Sequence, residues 1–269
     1  MSGAPKPFSE LHDDVLRAVP GVVFDIDDTL TREGRLELPA FRALWRLADA
    51  GLVGVAITGR PLGWVDVIAR QWPVSLAVGE NGAGWVRRNP DGSVTEGYFA
   101  DPEEREAHRQ IVARIKARVA REMPDIVVSR DDRARRCDLA FDVAEEESVP
   151  KDRIAKLAAL IEAEGCAAPV SSVHAHAVPG RWDKAVGAEK AIRDALGVEL
   201  DFGRWIFIGD SGNDAAAFAR FDLSIGVANV RERALPRPPK WITAQDRGRG
   251  FAEVVDRLLA VRGPATVES

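Results

Sequence analysis

Short apolar runs alternate with helical patterns along most of the chain, and this rhythm restricts the fold more than any other feature of the sequence. An apolar run at residues 22–24 is followed by helical spacing over 39–50 and a strand-like run over 52–57. A helix over 62–72 and a strand over 74–78 continue the pattern. Repeated alternation of this kind predicts a parallel sheet with helices on both faces.

The rhythm stops near residue 81 and resumes at Asp183. The intervening segment predicts a hairpin around Asn89-Pro90-Asp91-Gly92, two amphipathic helices and further strands, which together favour an α+β module with an antiparallel sheet. We therefore expect a discontinuous core domain, residues 1–81 and 181–269, and an insert, residues 82–180. Elements predicted for the insert are strands at 85–88, 94–99, 126–129, 137–143 and 170–179, and helices at 102–122 and 149–164.

Composition excludes several classes of protein. The chain has 269 residues, of which 46% are hydrophobic and 29% charged, as in soluble globular proteins and unlike disordered ones. A net charge of −5 gives no reason to expect binding to nucleic acid or to anionic membranes. Apolar runs are too short for a membrane span or a secretory signal, and two cysteines make no disulfide framework. The expected location is the cytoplasm; the oligomeric state stays open.

Two acidic clusters each follow a predicted strand. Asp25, Asp27 and Asp28 come after the first strand of the core, and Asp210 and Asp214 come after a later one. In an open parallel α/β sheet, ligands bind outside the carboxyl ends of the strands. One cluster alone fits a solvated turn or a helix cap. Two clusters at one sheet edge predict an oxygen-ligand site for Mg²⁺.

Two further segments offer groups that suit a phosphate. Thr58, Gly59 and Arg60 follow a strand, where a hydroxyl and backbone N–H groups can hold phosphate oxygens. A turn capped by Thr58 is the simpler alternative. Lys184 stands at the start of a predicted helix, where its charge opposes the helix dipole unless a local group attracts it. A solvated surface lysine is the alternative there.

Together, these residues resemble the four motifs of the haloacid dehalogenase superfamily of phosphotransferases, in order and in spacing. The insert resembles the cap of subfamily IIB, the branch of the Cof-type, sucrose-phosphate and trehalose-phosphate phosphatases and the phosphomannomutases. The resemblance implies a Rossmann-like parallel-sheet core and an inserted α+β cap domain at 82–180. The segments that carry it are Asp25-x-Asp27-x-Thr29, Thr58-Gly59-Arg60, Lys184, the run from Gly209 to Asp214, and Glu80-Asn81-Gly82-Ala83 before the cap.

The resemblance also implies a role for each catalytic group. Asp25 would attack phosphorus and form an aspartyl-phosphate, and Asp27 would act first as general acid and then as general base. Lys184, Thr58 and the amide of Gly59 would carry the charge of the transferring phosphoryl oxygens.

The remaining implied roles concern the metal and the substrate. Mg²⁺ would bind to Asp25, to the backbone carbonyl of Asp27 and to Asp210, with Asp214 supporting it indirectly. Arg60 would reach the substrate, and Asn213 would help to hold Lys184 or its loop. The expected function is Mg²⁺-dependent hydrolysis of a small phosphorylated metabolite, with a sugar phosphate as the favoured substrate class.

Two alternatives remain open. Gly180-Arg181-Trp182-Asp183-Lys184 resembles the same region of the phosphomannomutases, and a mutase needs cap cations for a second phosphate. A non-catalytic phospho-acceptor or binding protein is a weaker alternative, because every expected catalytic side chain is present. Candidate cations for the mutase are Arg130, Arg133, Arg135 and Arg136, although a solvated loop paired with Asp131 and Asp132 is favoured. For His174 and His176, which alternate on a predicted strand, an exposed strand surface is favoured over a zinc site.

Overall fold

The central feature of the computed structural model is a large, mainly parallel sheet. The structure describes residues 4–233 and 235–263, and within these ranges nine strands form one sheet in the order β1-β13-β12-β11-β2-β5-β6-β7-β8. In this spatial order, every pair of neighbouring strands from β1 across to β6 is parallel. The strands of this sheet are β1 (Lys6–Pro7), β2 (Gly21–Phe24), β5 (Val53–Ile57), β6 (Leu76–Gly79), β7 (Gly84–Arg88), β8 (Val94–Tyr98), β11 (Ile206–Gly209), β12 (Leu223–Gly226) and β13 (Trp241–Ile242).

Helices cover both faces of the sheet, and the predicted α/β fold is confirmed. In one apolar cluster Phe24 of the sheet packs against Phe251 of the last helix, and in the other Phe207 of the sheet packs against Phe218 of the helix over residues 215–220. No helix in the described part of the chain is long and apolar enough to cross a membrane. The helices are α1 (Asp13–Arg17), α2 (Leu38–Asp49), α3 (Leu62–Gln71), α4 (Pro102–Glu122), α5 (Lys151–Ala163), α6 (Lys184–Leu196), α7 (Ala215–Arg220) and α8 (Arg247–Ala260).

The hairpin of β7 and β8 extends the main sheet. A tight 3-10 turn at Glu80–Gly82, with positive φ at Asn81 (58°) and Gly82 (111°), reverses the chain so that β7 pairs antiparallel with β6. The prediction that this hairpin shares an antiparallel sheet with the insert's later strands is wrong. The hairpin joins the main sheet because the turn is too short to carry the chain away from the open edge of β6.

The rest of the insert packs around an apolar core of its own. Strands β9 (Leu139–Asp142) and β10 (His174–Ala177) pair antiparallel, and α4 and α5 lie against them. Ile115, Phe141 and Leu157 are fully buried in this core. The predicted strand at 126–129 contributes one isolated bridge, from Val128 to Phe141. A further small pair, β3 (Thr31–Arg32) with β4 (Arg35–Leu36), forms a flap after the first acidic cluster.

Helix α6 approaches the turn before β7 more closely than a side chain would allow. A Cβ on Gly187 would lie 2.4 Å from the Cα of Gly82, a backbone atom that cannot rotate away. This contact sets how deeply the first residue of α6, Lys184, enters the protein.

We predict that Gly187→Ala lowers the free energy of unfolding by about 1–3 kcal/mol because of this overlap. Helix propensity alone predicts the opposite sign, a gain of about 1 kcal/mol. Urea denaturation of the purified protein measures the difference, with Lys190→Ala on the exposed part of α6 as the control. A stabilised Gly187→Ala variant would contradict the close approach.

Candidate active site

Three buried carboxylates meet at the carboxyl edge of the sheet. Asp25 follows β2, Asp210 follows the neighbouring β11, and Asp214 ends the short 3-10 turn after it. Carboxylate oxygens from all three lie within 4.8 Å of one another, and the residues are 0–3% exposed. Parallel pairing of β2 with β11 places the two predicted acidic clusters together, and the triad could hold a metal ion.

Lys184 is the counter-ion of this cluster. Its Nζ lies 2.6 Å from Asp25 Oδ1 and 2.7 Å from Asp214 Oδ1, and its side chain is completely buried. The Asp183 carboxylate accepts the backbone N–H groups of Ala185 and Val186 and so fixes the start of α6. The alternative of a solvated surface lysine is excluded.

Burial and mutual repulsion govern the ionisation of the triad. Burial raises the pKa of Asp25 to about 8, against the attraction of Lys184. Burial, with the charges of Asp214 and Asp25, raises the pKa of Asp210 well above its usual value. Burial also works against the charged form of Lys184, but Asp214 and Asp25 outweigh it and raise the lysine's pKa. Three acids against one ammonium leave this centre attractive to a cation.

Hydrogen bonds orient the carboxylates of the second acidic cluster. Asp214 Oδ2 accepts the backbone N–H groups of Asp210 and Ser211, at 2.9 and 3.0 Å. Asn229 donates to Asp210 at 3.1 Å and to the carbonyl of Asp28 at 3.0 Å. The sequence analysis missed Asn229, although it follows β12, whose carboxyl end lies at the same sheet edge. Inspection of the polar residues that follow each strand, which identified the acidic clusters, would also have found Asn229.

Asp27 is held by Arg60 rather than by the triad. The Arg60 guanidinium donates to Asp27 at 2.8–3.1 Å, forms a 2.7 Å ion pair with Glu145 of the insert, and stacks on Trp64 at 4.7 Å. Arg60 is 3% exposed and therefore lies inside the protein rather than on its surface. In this conformation the guanidinium bridges the expected acid–base residue and the insert.

The other predicted phosphate-binding residues lie next to the triad. Thr58 is buried, and its Oγ1 accepts the N–H of Arg60 at 3.0 Å. Asn213 donates to Asn81 Oδ1 at 2.9 Å and accepts from Ser211. Asn213 therefore holds the turn before β7, while Asp25 and Asp214 are the partners of Lys184.

Glu80 joins the core to the insert through backbone hydrogen bonds. Its carboxylate accepts N–H groups from Leu62 of the core at 3.0 Å and from three insert residues at 2.6–2.9 Å. Burial, with the charge of Asp138, raises the pKa of Glu80 to about 7, while these donors and Arg135 oppose the shift. The three insert donors are Arg136, Cys137 and Asp138.

Arg135 adds a second link between the two parts. It donates to the carbonyl of Gly59 at 2.9 Å and pairs with Asp138 at 2.9 Å and Asp131 at 3.2 Å. Its side chain is 1% exposed, so the expectation of a solvated arginine is wrong for this residue. Arg130 and Arg136 are exposed as expected, and their partners are Glu146 and Glu96.

The two histidines of β10 are buried at the same interface. His174 and His176 are 1% and 0% exposed, which overturns the expectation of an exposed strand surface. His174 Nε2 lies 2.9 Å from Glu145, and His176 Nδ1 lies 3.1 Å from Asp138. Alternation along the strand predicts that the two histidines share a face, but it does not show that the core domain covers that face.

A cavity of about 420 Å³ opens beside Asp27, between the core and the insert. Arg60 and Arg247 line it from the core, and Glu145 and Ser172 line it from the insert. The Asp25 side chain is 4% exposed. Space for a substrate therefore begins at Asp27, while the side chain of Asp25 is buried.

The comparisons with known proteins agree with this geometry. No family model matches the chain. It is 28% identical over 244 residues to a phosphoglycolate phosphatase of Pyrobaculum neutrophilum, which covers 89% of this chain and 95% of the relative. A sucrose-phosphatase structure from Synechocystis, in complex with sucrose and phosphate, has a TM-score of 0.64, with 14% identity, 88% coverage of this chain and 96% of its own.

A structure of a phosphatase of the haloalkanoate (HAD) enzyme superfamily, from Bacteroides thetaiotaomicron, has a TM-score of 0.60. It is 21% identical and covers 94% of this chain and 99% of its own. The chain therefore has the fold of these phosphatase structures, as the predicted resemblance implies. The predicted enzyme class, a phosphoric monoester hydrolase, agrees with the names of these proteins.

We predict that Glu80→Ala lowers the free energy of unfolding by about 3 kcal/mol or more, because it leaves several buried N–H groups without an acceptor. Glu96→Ala, which removes a half-exposed partner of Arg136, should cost no more than about 1 kcal/mol. Urea denaturation followed by tryptophan fluorescence measures both. Equal, small effects would show that Glu80 does not hold the insert to the core.

Proposed function

We propose that the chain is a Mg²⁺-dependent phosphatase of small phosphorylated metabolites that works through an aspartyl-phosphate. The observation that carries the proposal is the cluster of Asp25, Asp210 and Asp214 around Lys184, with Asp27 two residues after Asp25. A nucleophile, a fixed cation and a separate acid–base group are the requirements of phosphoryl transfer.

The reaction divides into two displacements. An oxygen of Asp25 attacks phosphorus as the ester P–O bond breaks, and Asp27 gives its proton to the leaving alkoxide. Water then attacks the phosphorus of the aspartyl-phosphate, Asp27 takes a proton from it, and inorganic phosphate leaves as the Asp25 carboxylate re-forms. Lys184 lies against the nucleophile throughout, where its charge balances the phosphoryl oxygens.

The residues fit a divalent cation of the magnesium type. Three carboxylates against one ammonium, all buried, form a hard-oxygen centre with an excess of negative charge. Asp25, Asp210 and the backbone carbonyl of Asp27 would hold the ion, and Asp214, already engaged by Lys184, would support it indirectly. Bound there, Mg²⁺ supplies neutralisation of the substrate's negative charge.

The insert is proposed to act as a cap that closes over the substrate. It contacts the core through Glu80, Arg135 and the Arg60–Glu145 pair, which meet the core at residues 59–62. Because β7 and β8 belong to the main sheet, we infer that the moving part begins after β8 and ends near residue 180. Closure of this kind excludes water and brings cap residues to the leaving group.

Sugar phosphates are the favoured substrates, and phosphoglycolate is a second candidate. The likeness in fold to a sucrose-phosphatase supports the first, and the curated relative supports the second. A phosphosugar mutase finds less support, because Arg135, the buried one among the four candidate arginines, is already paired with Asp131 and Asp138.

We predict that Mg²⁺ raises the melting temperature of the wild-type protein and that Asp210→Asn abolishes this response. In EDTA, Asp210→Asn should melt about 2–4 °C higher than wild type, because the cost of burying this acid beside Asp214 and Asp25, about 1 kcal/mol, is removed. Differential scanning fluorimetry measures both effects, with the exposed Asp222→Asn as the control. A full Mg²⁺ response in Asp210→Asn would contradict the proposed metal ligands.

We predict that Asp25→Asn lowers kcat by more than about a thousandfold while the fold stays intact. Asp27→Asn should still form phosphoenzyme with a good leaving group but should stall its hydrolysis. Phosphate release is measured with Mg²⁺ and with EDTA on hexose phosphates, glycerol 3-phosphate, phosphoglycolate and p-nitrophenyl phosphate. Substantial turnover by Asp25→Asn would refute the mechanism, and exchange between hexose-phosphate isomers without phosphate release would favour the mutase.

A further inference from the structure

A second cavity, of about 360 Å³, also opens beside Asp27. It lies between α3 and the flap of β3 and β4, and it shares Asp27, Thr31, Gly34 and Arg60 with the cavity that borders the insert. Its volume is within the range of small-molecule binding sites. The space beside the expected acid–base residue therefore continues in two directions, one toward the insert and the other toward α3.

Most of the wall of this second cavity is apolar. Its three polar side chains are already engaged, because Arg60 donates to Asp27 at 2.8 Å and the hydroxyl of Thr31 accepts the N–H of Asp28 at 3.0 Å. The other side chains therefore offer carbon surface to anything that enters. They belong to Ile26, Leu36, Trp64, Val67, Ile68 and Trp72.

Two large apolar side chains of this wall stay in contact with water. Trp64 and Val67 stand three positions apart on α3, so they share one face of the helix, and they are 46% and 49% exposed. Exposed apolar side chains grouped around a cavity are typical of a place where an apolar group binds. A ligand that covered them would gain the free energy of removing that surface from water.

Arg60 connects this apolar wall to the reacting end of the site. Its guanidinium donates to Asp27 at 2.8 Å, and its Cζ lies 4.7 Å from the centre of the Trp64 ring. In the proposed mechanism Asp27 protonates the leaving oxygen, which must then lie within hydrogen-bond distance of that carboxyl group. The next atoms of the leaving group therefore enter one of the two cavities that Asp27 lines.

The two cavities suit different leaving groups. Asp28, Glu33, Glu145 and Arg247 give the cavity beside the insert charged walls, which suit polar and hydroxylated groups. The cavity beside α3 suits hydrocarbon, because apolar surface gains free energy on leaving water for apolar walls. A hydroxyl group placed there would instead lose its hydrogen bonds with water.

We propose that the cavity between α3 and the flap is a subsite for an apolar part of the leaving alcohol, so that the protein takes phosphomonoesters with an alkyl chain or an aromatic ring. This inference rests on the proposed phosphatase function and adds a substrate class to the sugar phosphates and phosphoglycolate. It also gives the core domain, through α3 and the flap, a part in specificity that is separate from that of the proposed cap.

Straight-chain alkylphosphonates of two, four and six carbons test the subsite by competition with p-nitrophenyl phosphate. Their P–C bond replaces the ester P–O bond and does not break, so the inhibition constant measures binding without differences in leaving-group reactivity. We expect competitive inhibition, with an inhibition constant that falls about two- to fourfold for each added methylene, as for a group partly or wholly buried. The kcat/KM for hexyl phosphate should likewise exceed that for ethyl phosphate, because the two alcohols are similar as leaving groups.

Substitution of Val67 shows whether the chain lies in this cavity. In Val67→Asp a carboxylate replaces part of the apolar wall, so the inhibition constant of the six-carbon phosphonate, relative to that of the two-carbon one, should rise about fivefold or more. Val67→Leu keeps the wall apolar and should keep the dependence on chain length. The control is Val15→Asp, the same change at a valine of α1 that is 39% exposed and lies outside the cavity, and it should leave activity and chain-length dependence unchanged.

Three results would overturn the subsite. They are an inhibition constant that does not depend on chain length, inhibition by the six-carbon phosphonate that is not competitive, and a chain-length dependence that Val67→Asp leaves unchanged. If the wild type releases no phosphate from any ester, the proposed function itself fails, and the inference fails with it. If p-nitrophenyl phosphate is hydrolysed in an Asp25-dependent way but any of the three results is found, only the inference about the subsite fails.

Discussion

The ion pairs between Lys184 and the carboxylates of Asp25 and Asp214 are the interaction on which the rest of the site depends. Three acids that are 0–3% exposed cannot share one sheet edge without a positive charge among them. The parallel sheet brings the acids together. The cation, Lys184, comes from a separate element, α6, which follows the insert in the sequence. Several contacts of the core serve to fix the position of this helix.

Several contacts fix the entry of α6. The Asp183 side chain caps the helix, the indole of Trp182 donates to the carbonyl of Glu80 at 3.1 Å, and Gly187 allows the close approach to Gly82. Glu80 in turn accepts N–H groups from both the core and the insert. The same turn therefore positions the lysine and anchors the insert, so that movement of the proposed cap would act on the proposed phosphoryl site.

The interface between cap and core is polar as well as buried. The side chains of Arg60 and Arg135 are 4% and 1% exposed, and each lies between carboxylates. His174 and His176 are buried on the insert side of the interface. If these contacts broke, their charged and polar groups would be hydrated, and this hydration would offset part of the lost attraction between them. A polar interface would open at a lower cost in free energy than an apolar one of the same area, as the proposed movement of the cap requires.

The core could be predicted because its signals are local and its geometry follows one rule. Strand–helix alternation and the acidic residues after the strands were enough to place Asp25, Asp27, Asp210 and Asp214 at one edge. Lys184 was assigned to this edge only through the resemblance to a known family. The hairpin was misplaced because pairing with β6 depends on a three-residue turn whose conformation the sequence pattern does not show.

The cap interface could not be predicted, because contacts such as Arg135 with Gly59 and His176 beside Gly59 join residues more than seventy positions apart. Sequence spacing carries no signal for such contacts. It therefore assigned solvated surfaces to residues that the core covers.

The central claim is that Asp25 carries the phosphoryl group during turnover. The most direct measurement is to mix the wild-type protein with p-nitrophenyl phosphate and Mg²⁺, quench with acid within milliseconds, reduce with borohydride and map the peptides by mass spectrometry. The account predicts homoserine at position 25, the product of reducing an aspartyl-phosphate, in an amount that follows the steady-state phosphoenzyme. Rapid phosphate release with an unmodified aspartate at position 25 at every quench time would contradict it.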